Sequence, residues 1–316
     1  MTLFLLKRLA TLAATLLATS IVVFVVLEIL PGDAAQMMMG PDASPEAVAA
    51  LRAKLGLDRP ALERYFAWIA GMATAELGTS HAYGAPVAGL IAERLALTVP
   101  LAVLAMTLTA VLALAAGLYA ASRHGRLGDV GLMGLTQVGI AIPNFWFAIL
   151  LILLFAVQLR WFSAGGFPGW DAGVGPALKS LVLPAVSLAV VQAAILARIT
   201  RSAVLDVLRE DFVRTARAKG LSRRAALWGH VLRNAMIPVL TVMGLQFATL
   251  LAGTIVVETV FYLPGLGRLI FQSISNRDLI VVRNCVMLLA AMVVVVNFVV
   301  DVLYAAIDPR LKPADA

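Results

Sequence analysis

The chain has one cysteine and three histidines, and only 14% of its 316 residues are charged. Each scarcity removes a class of protein. A single thiol, Cys285, excludes an intrachain disulfide framework. His81, His124 and His230 stand far apart, with no Cys/His ligand cluster near any of them, which argues against a metal site. Neither an HExxH nor a GxSxG pattern occurs, so the sequence offers no intramembrane hydrolase. Charge is replaced by apolar bulk: 61% of residues are hydrophobic and the mean hydropathy is +0.94. Soluble domains are roughly half apolar and about a quarter charged. The excess has no aqueous explanation, and the chain reads as an integral membrane protein. Its net charge of +7 does not point to nucleic acid, because the basic residues sit in loops beside apolar runs, where they set orientation.

Lys7 and Arg8 precede an apolar run over 9–30. At about 1.5 Å per residue this run spans roughly 33 Å, close to bilayer thickness and longer than a signal-peptide core. Glu28 and the following Pro31-Gly32-Asp33 make a poor cleavage site, so we read an uncleaved first span. Five more follow at about 97–121, 131–159, 181–199, 236–257 and 279–303. No alternating strand pattern occurs, and backbone groups in lipid must be satisfied internally, so all six are helices. The third is long for a simple span. Pro143 removes a backbone donor there, which predicts a kink or break near Ile142-Pro143-Asn144.

The side holding the N-terminus, the 122–129 loop, the 198–234 loop and the tail carries 15 Lys/Arg against 10 on the other. Short loops weigh most in this asymmetry, so both termini are expected in the cytoplasm. The chain divides into a first span (1–30), an extracytoplasmic helical segment (31–96), a core of spans with a cytoplasmic loop at about 200–234 (97–306), and a cytoplasmic tail (307–316). In 31–96, Ser44-Pro45 reads as a cap and first helical residue, with Gly56 as the stop. A second short helix is expected from about Pro60 to Gly71, and the whole segment is expected to pack over the second span.

The 198–234 loop is the least hydrophobic connection and the most informative. It holds nine Lys/Arg and three acids. Asp211 to Val231 reads as two short helices separated by Gly220-Leu221-Ser222, with Gly220 as C-cap and Ser222 capping the second. Alanines at its centre allow another surface to approach closely. By spacing alone, this is either a loop that fixes topology or an element that passes a push into the bilayer.

Polar groups in spans are expensive, and four are candidates for a translocation path: Asn144, Gln192, Gln246 and Glu258. Asn144 adjoins the Pro143 break and serves either the freed backbone or a solute. Gln192 and Gln246 either line the path or bond across helices. Glu258 lines the outer mouth or pairs with Arg268. Asn297 and Asp301, one turn apart in the last span, read as structural. Gly173-Val174-Gly175-Pro176-Ala177-Leu178-Lys179-Ser180 approaches a phosphate-binding loop, but Leu178 replaces its second glycine. We read it as a coincidence in a Gly-rich loop and assign this chain no nucleotide site.

RTARAKGL (Arg214 to Leu221) followed by HVLRNAMIP (His230 to Pro238) resembles the cytoplasmic motif of ABC-importer permeases of the dipeptide/oligopeptide/nickel family. LPGDAA near residue 30, ASPEAVAALRAKLGLDRP, ELGTS, IPNFWFAILL, ETVFYLPGLG, NRD and NFVVDVLYAAIDPR follow the same family in order, over nearly the whole chain. Arg214-Thr215-Ala216 stands where the general importer motif has Glu-Ala-Ala, and the Gly220–Pro238 spacing is longer than usual; both are habits of the peptide branch. The resemblance implies an all-α membrane protein of the bacterial cytoplasmic membrane with the type I importer permease fold. It implies that Thr215, Ala216, Arg217, Ala218, Lys219, Gly220 and Leu221 form the coupling element that docks on an ATPase subunit. It also implies the partners: a second homologous permease, two ATPases that bind ATP and Mg, and an extracytoplasmic substrate-binding protein. The implied cargo is a di- or oligopeptide, with nickel, glutathione, an opine or a sugar-type solute as alternatives. An ion-coupled secondary transporter would show two repeat halves and midplane acids, and the sequence shows neither.

Overall fold

The computed structural model describes residues 2–29, 34–40, 42–54 and 56–307. Residues 31–33, part of the first loop, and 308–316, most of the expected tail, lie outside them. The described residues form helices α1 (Thr2–Ile29), α2 (Ala34–Met39), α3 (Pro45–Lys54), α4 (Ala61–Thr74), α5 (Val87–Ser122), α6 (Leu127–Ala141), α7 (Asn144–Leu151), α8 (Val174–Leu208), α9 (Asp211–Ala218), α10 (Arg223–Ala226), α11 (Leu232–Val260), α12 (Leu266–Ser275) and α13 (Leu279–Ile307). Among the described residues, five helical stretches are long and apolar enough to cross a membrane. The bent pair α6 and α7, the latter prolonged by a π-helical turn to Gln158, makes a sixth if counted as one span.

That pair departs most from a simple span. Ile142 and Pro143 are extended, and the helices on either side meet at 101°. The residue before a proline avoids the helical region, and the proline then starts a new helix well. Helix α5 overruns its apolar stretch by several residues at its N-terminal end and α8 at both ends, because charged residues such as Glu93 and Arg94 are good helix formers. The division at residue 96 therefore runs through α5. Pro100 in α5 also leaves the Ala96 carbonyl without its helical donor. The indole of Trp170 donates to that oxygen at 2.8 Å.

The core is the parallel pair α5 and α8 with α11 laid across it. Leu101, Ala105, Leu181, Leu188 and Leu251 fill one end, and Ala113, Ala197, Val204 and Val239 the other. Lipid tails are as apolar as these side chains, so close approach of small residues holds the pair together. Gly117 is the closest point. A Cβ there would lie 2.6 Å from Thr200 Cβ and 2.8 Å from the Ala197 carbonyl oxygen. Gly117→Ala is expected to destabilise the protein by about 1–3 kcal/mol through overpacking. A lowered thermal midpoint in detergent checks it.

The 31–96 segment packs differently from expectation. Tyr65 and Trp68 of α4 lie against Phe24 of α1 and Met287 of α13, with Ser20 and Tyr65 hydroxyls 2.8 Å apart. It covers the first and last spans rather than α5, because its aromatic face matches the groove between them. The Trp68 indole donates to Asn284 at 2.9 Å, and Asn284 donates to the Leu77 carbonyl at 3.0 Å. Ser80 donates to Asp278. The ELGTS and NRD stretches, far apart in sequence, thus form one junction. At the opposite end of these helices Arg8 pairs with Asp301 at 2.8 Å.

Candidate functional site

Helix α9 stands off the bundle. Its one deeply buried residue is Val213, 1% exposed, which enters the cluster of Val204, Ala226 and Val231. Thr215, Arg217, Ala218, Lys219, Gly220 and Leu221 are exposed, and Ala216 is half-buried. Asp211 in the first turn pairs with Arg214 at 3.1 Å, and both it and Arg217 in the last turn suit the helix dipole.

The end of α9 explains its glycine. Leu221 N–H donates to the Ala216 carbonyl at 3.2 Å, and Gly220 N–H to the Arg217 carbonyl at 3.0 Å. These are the two bonds of a Schellman cap, which requires a left-handed residue where Gly220 sits at φ +96°. One residue later Ser222 turns extended, and its hydroxyl accepts from Ala225 N–H at 3.2 Å. Stop and start are therefore fused within three residues, and the angle between the helices is set by backbone geometry. The second helix is not short, contrary to the sequence reading. It runs from Arg223 through a π-helical turn at Leu227–Val231 into α11, a continuous stretch to Val260. A displacement of α9 is thus tied directly to a core span. Behind α9 lies a cavity of about 230 Å³ whose walls include His124, Arg209, Arg217 and Arg223.

Two residues of this surface escaped the sequence reading. Phe212 and Trp228 are exposed, Trp228 by 58%. Aromatic side chains in an otherwise basic loop were the available signal. A third omission lies at the α6/α8 junction. Asp129, 2% exposed, receives Arg201 Nε at 2.6 Å and Nη2 at 2.7 Å, and the Gly125 N–H at 2.9 Å. Arg201 Nη2 also lies 3.0 Å from His124 Nδ1, which is 3.3 Å from Asp129 Oδ2.

The four polar span residues do not converge on one site; only Gln192 and Gln246 meet. Glu258 is fully buried. Thr98 donates to one of its oxygens at 2.7 Å, and Arg268 N–H to the other at 3.1 Å. It meets the backbone of Arg268; the guanidinium of that residue instead lies over the Tyr262 ring at 4.8 Å. The Thr98 hydroxyl in turn accepts from Leu266 N–H at 2.8 Å. Thr98→Val removes both bonds at nearly constant volume. It is expected to destabilise by about 1–3 kcal/mol for each group left unpaired, read as a lower thermal midpoint; an unshifted midpoint overturns this account. Gln246 and Gln192 join α11 to α8: the Gln246 amide donates to the Gln192 carbonyl at 3.0 Å, and its own oxygen is buried without a partner. Asn144 is half-buried at the start of α7, its amide facing Gly253 of α11. The Gly173–Ser180 stretch is no loop, since residues from Val174 onward are the first turns of α8.

A bundle of membrane helices around α5 and α8, with one broken span and a capped helix held outside, defines a multi-pass membrane protein. Residues 113–313 match the family of binding-protein-dependent transport system inner membrane components, and residues 1–102 match that family's N-terminal region. The chain belongs to this family and is a permease subunit of the bacterial inner membrane. It is 43% identical to a putative peptide transport system permease protein of Brucella abortus (strain 2308), over 99% of both chains. It is 38% identical to the di/tripeptide transport system permease protein DppB of Pseudomonas aeruginosa (strain UCBPP-PA14), over 98% of both. It is 40% identical to the glutathione transport system permease protein GsiC of Escherichia coli O6:H1, also over 98% of both. Among solved structures, the MetNI methionine ABC transporter in an inward-facing form shares the fold, with a TM-score of 0.55, 17% identity, and coverage of 69% of this chain and 96% of that one.

Proposed function

We propose that this chain is one of two non-identical permease subunits of an ATP-driven importer of di- or oligopeptides. A binding protein delivers the peptide to the outer face, and two ATPase subunits act from the cytoplasm. The observation that carries the coupling role is α9 and the turn after it: a helix with one buried anchor, exposed Phe212 on it and exposed Leu221 and Trp228 beyond it, and a rigid cap leading into a core span. ATP moves such an element only by binding the closed ATPase pair more tightly than the open one. ATP and Mg are held by those partners and not by this chain. The Lys/Arg asymmetry supports cytoplasmic termini. The names of the relatives support a peptide cargo, and glutathione, itself a tripeptide, falls within the same class. Of the four polar span residues, Asn144 is the one we assign to the path, because it lies at the helix break and is only half-buried.

The experiment is a mild-detergent pull-down of the tagged chain from its host, followed by peptide uptake in liposomes. Co-purification of a second permease and two P-loop ATPase subunits, with uptake that needs ATP and binding protein, is expected. A chain that comes down alone and transports without ATP overturns the proposal.

A further inference from the structure

A cavity of about 430 Å³ lies where α1 ends, α13 begins and the α3–α4 segment covers both. It plays no part in the coupling element or the span polar groups. One wall is Phe24 and Leu27 of α1. That wall continues into the outward face of the same helix, where Ile21, Val22, Val25 and Val26 are exposed. The other walls are cationic. Glu28 is taken by an ion pair with Arg64. Beyond that pair the lining holds Lys54, Arg59, Arg277 and Arg283 against one carboxylate, Glu76.

Arg283 is the informative residue. It sits in the second turn of α13, and its guanidinium lies over the Trp68 ring at 4.9 Å. Its Nε is buried and has no hydrogen-bond partner. A buried donor without an acceptor calls for a missing group, and here the missing group must accept from arginine. The level of the cavity narrows the choice. Glu28 is in the last turn of the first apolar span and Arg283 near the start of the last, so both stand at the edge of the hydrocarbon layer. Phosphate oxygens of lipids lie at that level, and arginine forks bind phosphate well.

We propose that this cavity seats the phosphodiester headgroup of an anionic phospholipid, with its acyl chains running down the Phe24–Leu27 face of α1. The lipid then fastens the first span to the last, which pack on each other outside the α5–α8 core. The site is independent of which solute is carried.

The test uses the intact transporter complex, purified in detergent and stripped of loosely held lipid. Dioleoylphosphatidylglycerol or dioleoylphosphatidylcholine is added back, and retained lipid is counted by native mass spectrometry. Phosphatidylglycerol is expected to be retained about tenfold over phosphatidylcholine. Arg283→Gln and Arg59→Gln, from different walls, should each lower that retention about fivefold, and Arg283→Lys should keep most of it. Arg59 is exposed, so its substitution leaves the fold intact and keeps the test decisive if Arg283→Gln assembles poorly. Equal retention of the two lipids, or phosphatidylglycerol retention that Arg59→Gln leaves unchanged, overturns the proposal. Displacement of phosphatidylglycerol by millimolar inorganic phosphate also overturns it, since the site would then take a free anion.

Discussion

Asp129→Ala is expected to be the most destabilising single substitution in the bundle, at about 3–5 kcal/mol. The carboxylate is 2% exposed and holds both forks of Arg201 together with the Gly125 amide. Removing it strands a guanidinium between α6 and α8 with only His124 to accept from it. The penalty is the desolvation of that unpaired charge more than the loss of attraction. A pair of substitutions separates the two. Asp129→Leu combined with Arg201→Met removes both charges and should recover most of the stability, because well-packed apolar residues often replace a buried pair at little cost. Thermal unfolding of the purified protein in detergent reads both. An Asp129→Ala variant that melts with the wild type sinks the assignment. A double variant no better than the single one would mean that the geometry of the pair, and not its charge balance, holds the junction.

The same pair shows where reading a membrane protein from its sequence reaches and where it stops. Apolar runs long enough to cross a bilayer are legible, because lipid leaves the backbone only the helix. The break at Pro143 is legible for a local reason, since a proline removes a donor and restrains its predecessor. The cap at Gly220 and Ser222 is legible for the same kind of reason. Partners distant in sequence are not. Asp129 reads as an ordinary acid beside a basic loop until folding places it against Arg201. Nothing local says that Trp170 supplies the donor Pro100 lacks, or that Thr98 joins Glu258 to the Leu266 amide. The length of the helix that begins at Arg223 was misjudged because charged residues at its start resemble a loop, although they are strong helix formers. Glu258 was legible as unusual, but its partner was not: the expected Arg268 contributes its amide and not its charge.

Gly220→Val is expected to abolish coupling while leaving insertion and abundance intact. Uptake and peptide-stimulated ATP hydrolysis by the assembled transporter should both fall at least about tenfold if the closing energy lost is near 1.4 kcal/mol. Nothing lies within 4 Å of a Cβ at this position, so the substitution meets no steric barrier from neighbours. Its effect comes through φ +96°, a region that costs a β-branched residue about 1–3 kcal/mol. That is enough to undo the two cap bonds from Leu221 and Gly220, and α9 then turns about its single anchor, Val213. A ranked series distinguishes this cause from bulk on the docking face. If backbone strain decides, Asn retains more activity than Ala, and Ala more than Val, since asparagine tolerates positive φ best of the three. If contact with a partner decides, the small alanine retains more than asparagine. Normal uptake by the valine variant would remove Gly220 from the coupling element altogether.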